Sequence, residues 1–179
     1  MYSIFIETCL SDFLLIIMKN KKAKYIDYKK DLVEKSDYLS ESFSKGLQKL
    51  KIKTQDIEEI YITNGPGSFM GSRASVIFAK TIAYLNNARL FVGSTLEWIS
   101  HDKATGIFSI DAKSNQSFVL DKNKKENYKI ELKEHVQSSI IDYAKFIKKI
   151  NKSLLVFKEV PTEEVLFLEP NYIKEPKIG

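Results

Sequence analysis

Between an isoleucine- and tyrosine-rich run, Glu59 to Thr63, and an apolar segment ending near Asn86 lies Asn64-Gly65-Pro66-Gly67-Ser68-Phe69-Met70-Gly71-Ser72-Arg73. A glycine-rich turn leading from a strand into a helix can bind an anion, because free backbone N–H groups and the positive end of the helix dipole meet there. A phosphate-binding P-loop closes on glycine-lysine-serine or threonine, whereas Gly71-Ser72-Arg73 closes this turn. The other reading is structural. Gly65, Gly67 and Gly71 permit a tight turn packed where a Cβ would not fit, and Pro66 fixes its own φ and restricts Gly65.

Two acids stand at the ends of apolar runs, Glu7 (followed by Thr8) and Asp111. An acid and a hydroxyl are components of a magnesium and phosphate site, but no glycine follows Glu7 to let the backbone approach a phosphate. No productive ATP site is expected, and both acids read as satisfied carboxylates at strand ends. The two histidines, His101 and His135, are far apart with no cysteine beside either. They read as surface side chains, not metal ligands. No serine, histidine and acid set is recognisable, so no catalytic residue, metal or cofactor is expected. The single cysteine, Cys9, cannot close an intramolecular disulfide and reads as a small buried apolar residue.

The 179 residues, 44% hydrophobic and 28% charged, have the composition of an ordinary globular protein. The apolar run Phe13 to Met18 is far short of the roughly 20 residues that cross a bilayer. No basic region precedes it, so neither a membrane span nor a secretory signal is expected, and the expected location is cytoplasmic. The net charge of +5 comes from lysines along most of the chain, since only Arg73 and Arg89 are arginines. It reads as a diffuse field with weak, salt-sensitive attraction for RNA.

The elements that must position these residues are set by periodicity. Ser3 to Thr8, Phe13 to Met18 and Ala23 to Tyr28 read as an antiparallel meander. Leu39, Phe43, Leu47 and Leu50 recur on one face of a helix from about Lys35 to Lys51, in which Gly46 costs about 1 kcal/mol against alanine. Glu59 to Thr63 is a strand, the glycine turn and a long helix follow, and Leu90 to Val92 is a fifth strand. Ser94 and Glu97 have capping-box spacing for a helix carrying Trp98. The pattern then restarts with strands Ile107 to Asp111, Phe118 to Asp121 and Tyr128 to Leu132. Lys19 to Lys22 and Lys122 to Lys125 fall in the hairpin turns. A helix from about Val136 to Ile150, with Val136, Ile140, Ala144 and Ile147 on one face, and a strand Leu154 to Phe157 complete the second half. A duplicated α/β unit is expected, residues 1–103 forming the first lobe and 104–179 a reduced second one.

Ile62 to Arg73 resembles the glycine-proline-glycine-serine-phenylalanine-threonine-glycine-x-arginine signature of the TsaB family, with Met70 in place of threonine. The signature residues are Gly65, Pro66, Gly67, Ser68, Phe69, Gly71 and Arg73. Ile4 to Thr8, Val92 to Leu96, Ser109 to Lys113 and Glu169-Pro170-Asn171-Tyr172-Ile173-Lys174 resemble four further family landmarks in the same order. The resemblance implies an α/β fold of two ribonuclease-H-like lobes, the actin, hexokinase and Hsp70 architecture, with the second lobe truncated. Nucleotide-using members of that superfamily carry a glycine-threonine pair in the first hairpin, where Thr8-Cys9-Leu10 stands here. Glu7 replaces the family's usual aspartate, and Lys35-Ser36-Asp37 stands where a histidine is common.

The function implied is that of a non-catalytic dimer partner of the catalytic subunit TsaD, in transfer of a threonylcarbamoyl group to the adenosine beside the tRNA anticodon. A TsaE-like ATPase, tRNA contacted through the complex, and a homodimer when alone are also implied. On the helix after the signature, Ser75, Ala79 and Ala83 form a low ridge with Ser72 and Val76 beside it. It reads either as the partner surface or as packing on the protein's own sheet with Val76, Ile77 and Ile82. A small-molecule kinase of the same architecture and a tRNA-binding accessory module are the alternatives.

Overall fold

The structure is a computed structural model that describes residues 1–124 and 129–173; Lys125, Tyr128 and Lys174, named above, lie outside the described residues. Strands β1 (Tyr2–Glu7), β2 (Phe13–Lys19) and β3 (Lys22–Lys29) form the meander. Asn20 and Lys21 turn β2 into β3 with φ of 50° and 59°, the left-handed pair that suits the twist of a two-residue hairpin. Helix α1 (Lys35–Leu50) carries the chain to β4 (Ile57–Thr63), parallel to β1, and α2 (Phe69–Asn86) carries it to β5 (Arg89–Gly93), parallel to β4. A short β9 (Lys158–Glu159) closes the far edge antiparallel to β5, giving the order β3-β2-β1-β4-β5-β9.

Both faces of this sheet are covered, which is why Phe13 to Met18 is continuously apolar and fully buried instead of alternating. On one face Ile4, Ile6, Leu15 and Ile60 pack against Leu39 and Phe43 of α1 and Val76 and Ala79 of α2. Gly46 is the point of closest approach there, since a Cβ would come within 2.5 Å of Ile17 Cδ1. Contact with the sheet thus offsets its low helix propensity. On the other face Phe5, Leu14, Ile16 and Met18 pack against Trp98 of α3 (Thr95–Ile99), Phe146 of α4 (Tyr143–Lys148) and Ile150 of α5 (Ile150–Ser153). The Phe5 ring lies 5.6, 4.9 and 5.8 Å from those of Trp98, Phe146 and Phe157.

A second, three-stranded sheet has the order β6 (Ile107–Lys113), β7 (Gln116–Asp121), β8 (Ile130–Glu134), all antiparallel. Its apolar face, with Ile110, Phe118 and Leu120, packs on Leu96. The meander therefore recurs, but the chain beyond β8 departs from the helix expected there. Residues 135–142 are not helical. Val136 exchanges backbone bonds with the Ser117 hydroxyl, Ser139 N donates to Ser109 O, and the Ser109 hydroxyl donates to Gln137 O. These bonds to the second sheet replace those a helix would make, and helix begins only at the Asp142 cap, whose side chain accepts from Lys145 N. The buried positions are accordingly Phe146 and Ile150, while Ile140 is exposed.

Leu154–Val156 is a 3₁₀ turn, not the start of a strand, and the strand after it joins the first sheet. Ser94 is the N-cap residue of α3, but its hydroxyl makes no capping bond. The division expected at residue 103 falls between β5 and β6, but Tyr143 to Glu159 returns across it, covering one face of the first sheet and adding β9 to its edge. Because Phe146 lies between Phe5 and Trp98, Phe146→Ala is expected to cost about 3 to 5 kcal/mol. The check is chemical denaturation of the whole chain, and a loss under about 1 kcal/mol would show that α4 does not hold the first sheet.

Candidate functional site

The parallel strands β1 and β4 end beside one another, so Glu7, Thr8, Thr63 and the signature loop meet at one end of the sheet. Glu7 is fully buried. One carboxylate oxygen accepts from Leu10 N at 2.9 Å and the other from the Thr63 hydroxyl. Burial outweighs these bonds and raises its pKa above the ordinary 4.5. The Thr8 hydroxyl donates to Gly71 O at 2.7 Å, and Cys9 O accepts from Ser68 N at 2.6 Å. Burial, with the Glu7 charge second, pushes the Cys9 thiol up to about 12, so it is an inert thiol.

The signature loop lies directly on this hairpin. A Cβ on Gly67 would come within 2.2 Å of Cys9 O, and one on Gly71 within 1.9 Å of Thr8 O. The Gly65–Pro66 bond is cis. Ser68 caps α2, its hydroxyl accepting from Gly71 N at 3.2 Å. The loop backbone is therefore seated on the hairpin's carbonyls, and the N–H groups of Ser68, Gly71 and Ser72 are already engaged. Packing is the role these glycines show.

Sequence reasoning missed three features. Lys35 is buried at the start of α1, and its ammonium donates to Thr8 O at 3.3 Å and to Leu10 O. Burial lowers its pKa. A lysine in the first turn opposes the helix dipole, which was the one signal of a special position. Asp12 accepts from the Tyr28 hydroxyl at 2.7 Å and from Asp31 N at 3.0 Å, tying the β1–β2 hairpin to the turn before α1. The late landmark docks on the signature: Asn171 N donates to Asn64 O at 2.8 Å, and the Tyr172 ring stacks on Phe69 at 5.0 Å, with Arg73 on Phe69 at 5.3 Å.

Hairpin, signature loop, Asp111 and the late landmark line a cleft of about 900 Å³ between the two sheets. Asp111 pairs with Lys113 at 2.8 Å, and the lysine holds its carboxyl below the ordinary carboxylate range. His101 is not the free surface side chain expected. Its Nδ1 lies 2.8 Å from Trp98 O and its Nε2 2.9 Å from the Ser153 hydroxyl, joining α3 to α5; His135 is exposed. Among the described residues no cluster of three metal-ligating side chains is present, and no helix is long and apolar enough to cross a membrane.

Ser72, Ser75, Val76, Ala79 and Ala83, expected at a partner surface, are instead buried within the protein, Ser75 and Ala79 at 0% exposure. The Ser75 hydroxyl donates to Thr63 O at 3.0 Å, so the small ridge is what lets α2 lie close on β4. The opposite face carries Met70, Ile77, Tyr84 and Leu85, the last three 58%, 68% and 69% exposed. On the packing reading Ile77 was to fill the core with Val76 and Ile82, but it lies outside it.

Residues 34–170 match the family described as "TsaD: tRNA N6-adenosine threonylcarbamoyltransferase". Among curated proteins the chain is similar to "Uncharacterized protein MG208 homolog" of Mycoplasma pneumoniae, 28% identical over 123 residues, 65% of this chain and 61% of that protein. It is also similar to "Uncharacterized protein MG208" of Mycoplasma genitalium, 32% identical over 85 residues, 45% of this chain and 42% of that protein. The chain thus spans less than two thirds of these relatives. Among solved structures it is similar to "YeaZ from Pseudomonas aeruginosa", with a TM-score of 0.60 at 12% identity over 78% of this chain and 69% of that one. A second structure from the same organism, described as a protein with similarity to peptidase YEAZ, gives the same figures. The likeness shows the fold, the two-lobed α/β architecture with a reduced second lobe.

Folding with Glu7 ionised costs free energy because its pKa is raised. Stability should therefore fall as pH rises from 4.5 through the raised native value, and level off above it. Glu7→Gln removes this slope, so urea unfolding between pH 4 and pH 8 should show the variant gaining on the wild type as pH rises. Parallel curves would show that Glu7 is not held against its charge.

Proposed function

The chain belongs to the family described as TsaD: tRNA N6-adenosine threonylcarbamoyltransferase, with the TsaB signature and the YeaZ fold, and from that membership we propose that it is a non-catalytic partner of a TsaD-type catalytic subunit. The observation that carries the reading is the outer face of α2. The two helices covering that side of the sheet differ outside: α1 shows solvent Ser40, Glu41, Lys45 and Gln48, whereas α2 shows it Ile77, Tyr84 and Leu85. An apolar stripe along one helix of such a pair is a surface for another helix, with aromatic and aliphatic anchors.

The chemistry of the site supports a supporting role. Glu7 engages both oxygens on its own hairpin and Thr63, Lys35 occupies the hairpin carbonyls, and the signature glycines seat backbone on backbone. The same α2 face serves for a homodimer when the catalytic subunit is absent. Contact with a TsaE-like ATPase and a cytoplasmic location complete the reading. Its rival is a kinase acting in the cleft, and micromolar binding of ATP with magnesium by the isolated chain, read by calorimetry, would favour that enzyme.

Supplied with tRNA and threonylcarbamoyl-adenylate, the chain alone is expected to modify nothing, and to raise modification when added to the TsaD-type subunit. Modification by the chain alone overturns the reading. Ile77→Glu should leave the melting temperature nearly unchanged while weakening binding to that subunit by roughly 2 kcal/mol or more. Ala79→Arg, on the inner face, should instead lower stability by at least about 1 to 3 kcal/mol. Wild-type affinity for Ile77→Glu would take α2 out of the interface.

A further inference from the structure

The fold gathers lysines that are dispersed in the sequence. Residues 19–26 and 143–158 contain no aspartate or glutamate, and the two segments pack together. Ala23 of β3 lies in one apolar cluster with Ile147, Ile150 and Leu154, and the Tyr28 and Tyr143 rings meet tilted, with centroids 4.9 Å apart. Between them the two segments carry Lys21, Lys22, Lys24, Lys148, Lys149 and Lys152, all exposed.

Elsewhere lysines find acids, as in Lys45 with Glu41, Lys113 with Asp111, Lys124 with Glu131 and Lys145 with Asp102. Among the described residues none of the six stands in an ion pair. Glu58, which reaches the β2–β3 turn through Met1, faces the N-terminal ammonium at 3.5 Å. A set of like charges left uncompensated on one side of a domain attracts a polyanion.

We propose that this lysine face binds the phosphate backbone of RNA directly, so that the chain contributes tRNA affinity of its own in addition to supporting a catalytic subunit. The proposal rests on the reading of the chain as part of a tRNA-modifying assembly, which makes RNA the polyanion presented to it. Lysines act here as point charges on flexible stems, suited to phosphate oxygens and carrying no base preference. The face lies along the β3 edge of the first sheet, where α5 reaches β3, whereas α2 lies over β4. One surface can therefore hold RNA while the other holds protein.

The test is a salt series of dissociation constants for an unmodified tRNA transcript, measured for the isolated chain and for its pair with the TsaD-type subunit. The triple variants K21Q/K22Q/K24Q and K148Q/K149Q/K152Q should each lower the slope of log Kd against log salt by about 2 to 3. The double variant K45Q/K49Q on α1 should match the wild type. Unchanged slopes in both triples overturn the proposal, as does loss of binding to phosphatidylserine vesicles with tRNA binding intact. Association with the TsaD-type subunit is measured separately. If it is absent while the triples still flatten the isolated chain's slope, the partner reading fails and the RNA face stands.

Discussion

The carbonyls of Thr8 and Cys9 lie where side chains on Gly71 and Gly67 would be. Most of the molecule depends on that contact between two pieces of backbone. It joins the first hairpin to the start of α2, and so sets the height at which α2 crosses β4. At that height small residues lie directly on the strand, with Val76 and Ile82 at their sides, so Ser75, Ala79 and Ala83 face inward while Ile77, Tyr84 and Leu85 face out.

A second layer of constraint comes from charge placed in low dielectric. A carboxylic acid buried as deeply as Glu7 is tolerable only when its oxygens are satisfied, and Leu10 N and Thr63 do this. Lys35 is buried among carbonyls and not against a carboxylate partner, so it acts as an internal clamp on the hairpin. Together with Asp12, which gathers Tyr28 and Asp31, these groups hold the loops around the cleft through polar bonds that require a specific geometry. Apolar packing alone would leave that geometry less defined.

Much of the fold was legible because periodicity and burial agree. Phe13 to Met18 reads as a strand of the opening meander, and Leu39 with Phe43 as one side of a helix. The glycine turn could be placed from the strand before it and the helix after it. The helix expected over Val136 to Ile150 failed because its apolar spacing was matched by a competing set of bonds: Ser109 and Ser117, distant in sequence, take the backbone of Val136 to Ser139. The inner and outer faces of α2 were ambiguous for a different reason. A ridge of small residues serves a sheet and a partner equally well, and only the height fixed by Gly67 and Gly71 decides between them. Lys35 was invisible as a functional position because its partners are main-chain carbonyls, which every sequence has.

The return of the chain from Tyr143 to Glu159 sets an order of events during synthesis. The strands β1, β2, β4 and β5 and both covering helices have been made by Gly93, yet the face bearing Phe5, Leu14, Ile16 and Met18 gains Phe146, Ile150 and the closing strand β9 only from residues far downstream. Contacts of such long sequence separation form late and slow folding. On the ribosome the half-made protein therefore carries a helical side that awaits Val165 and its neighbours, and an uncovered aromatic side. That uncovered side is the surface a nascent-chain chaperone would meet first.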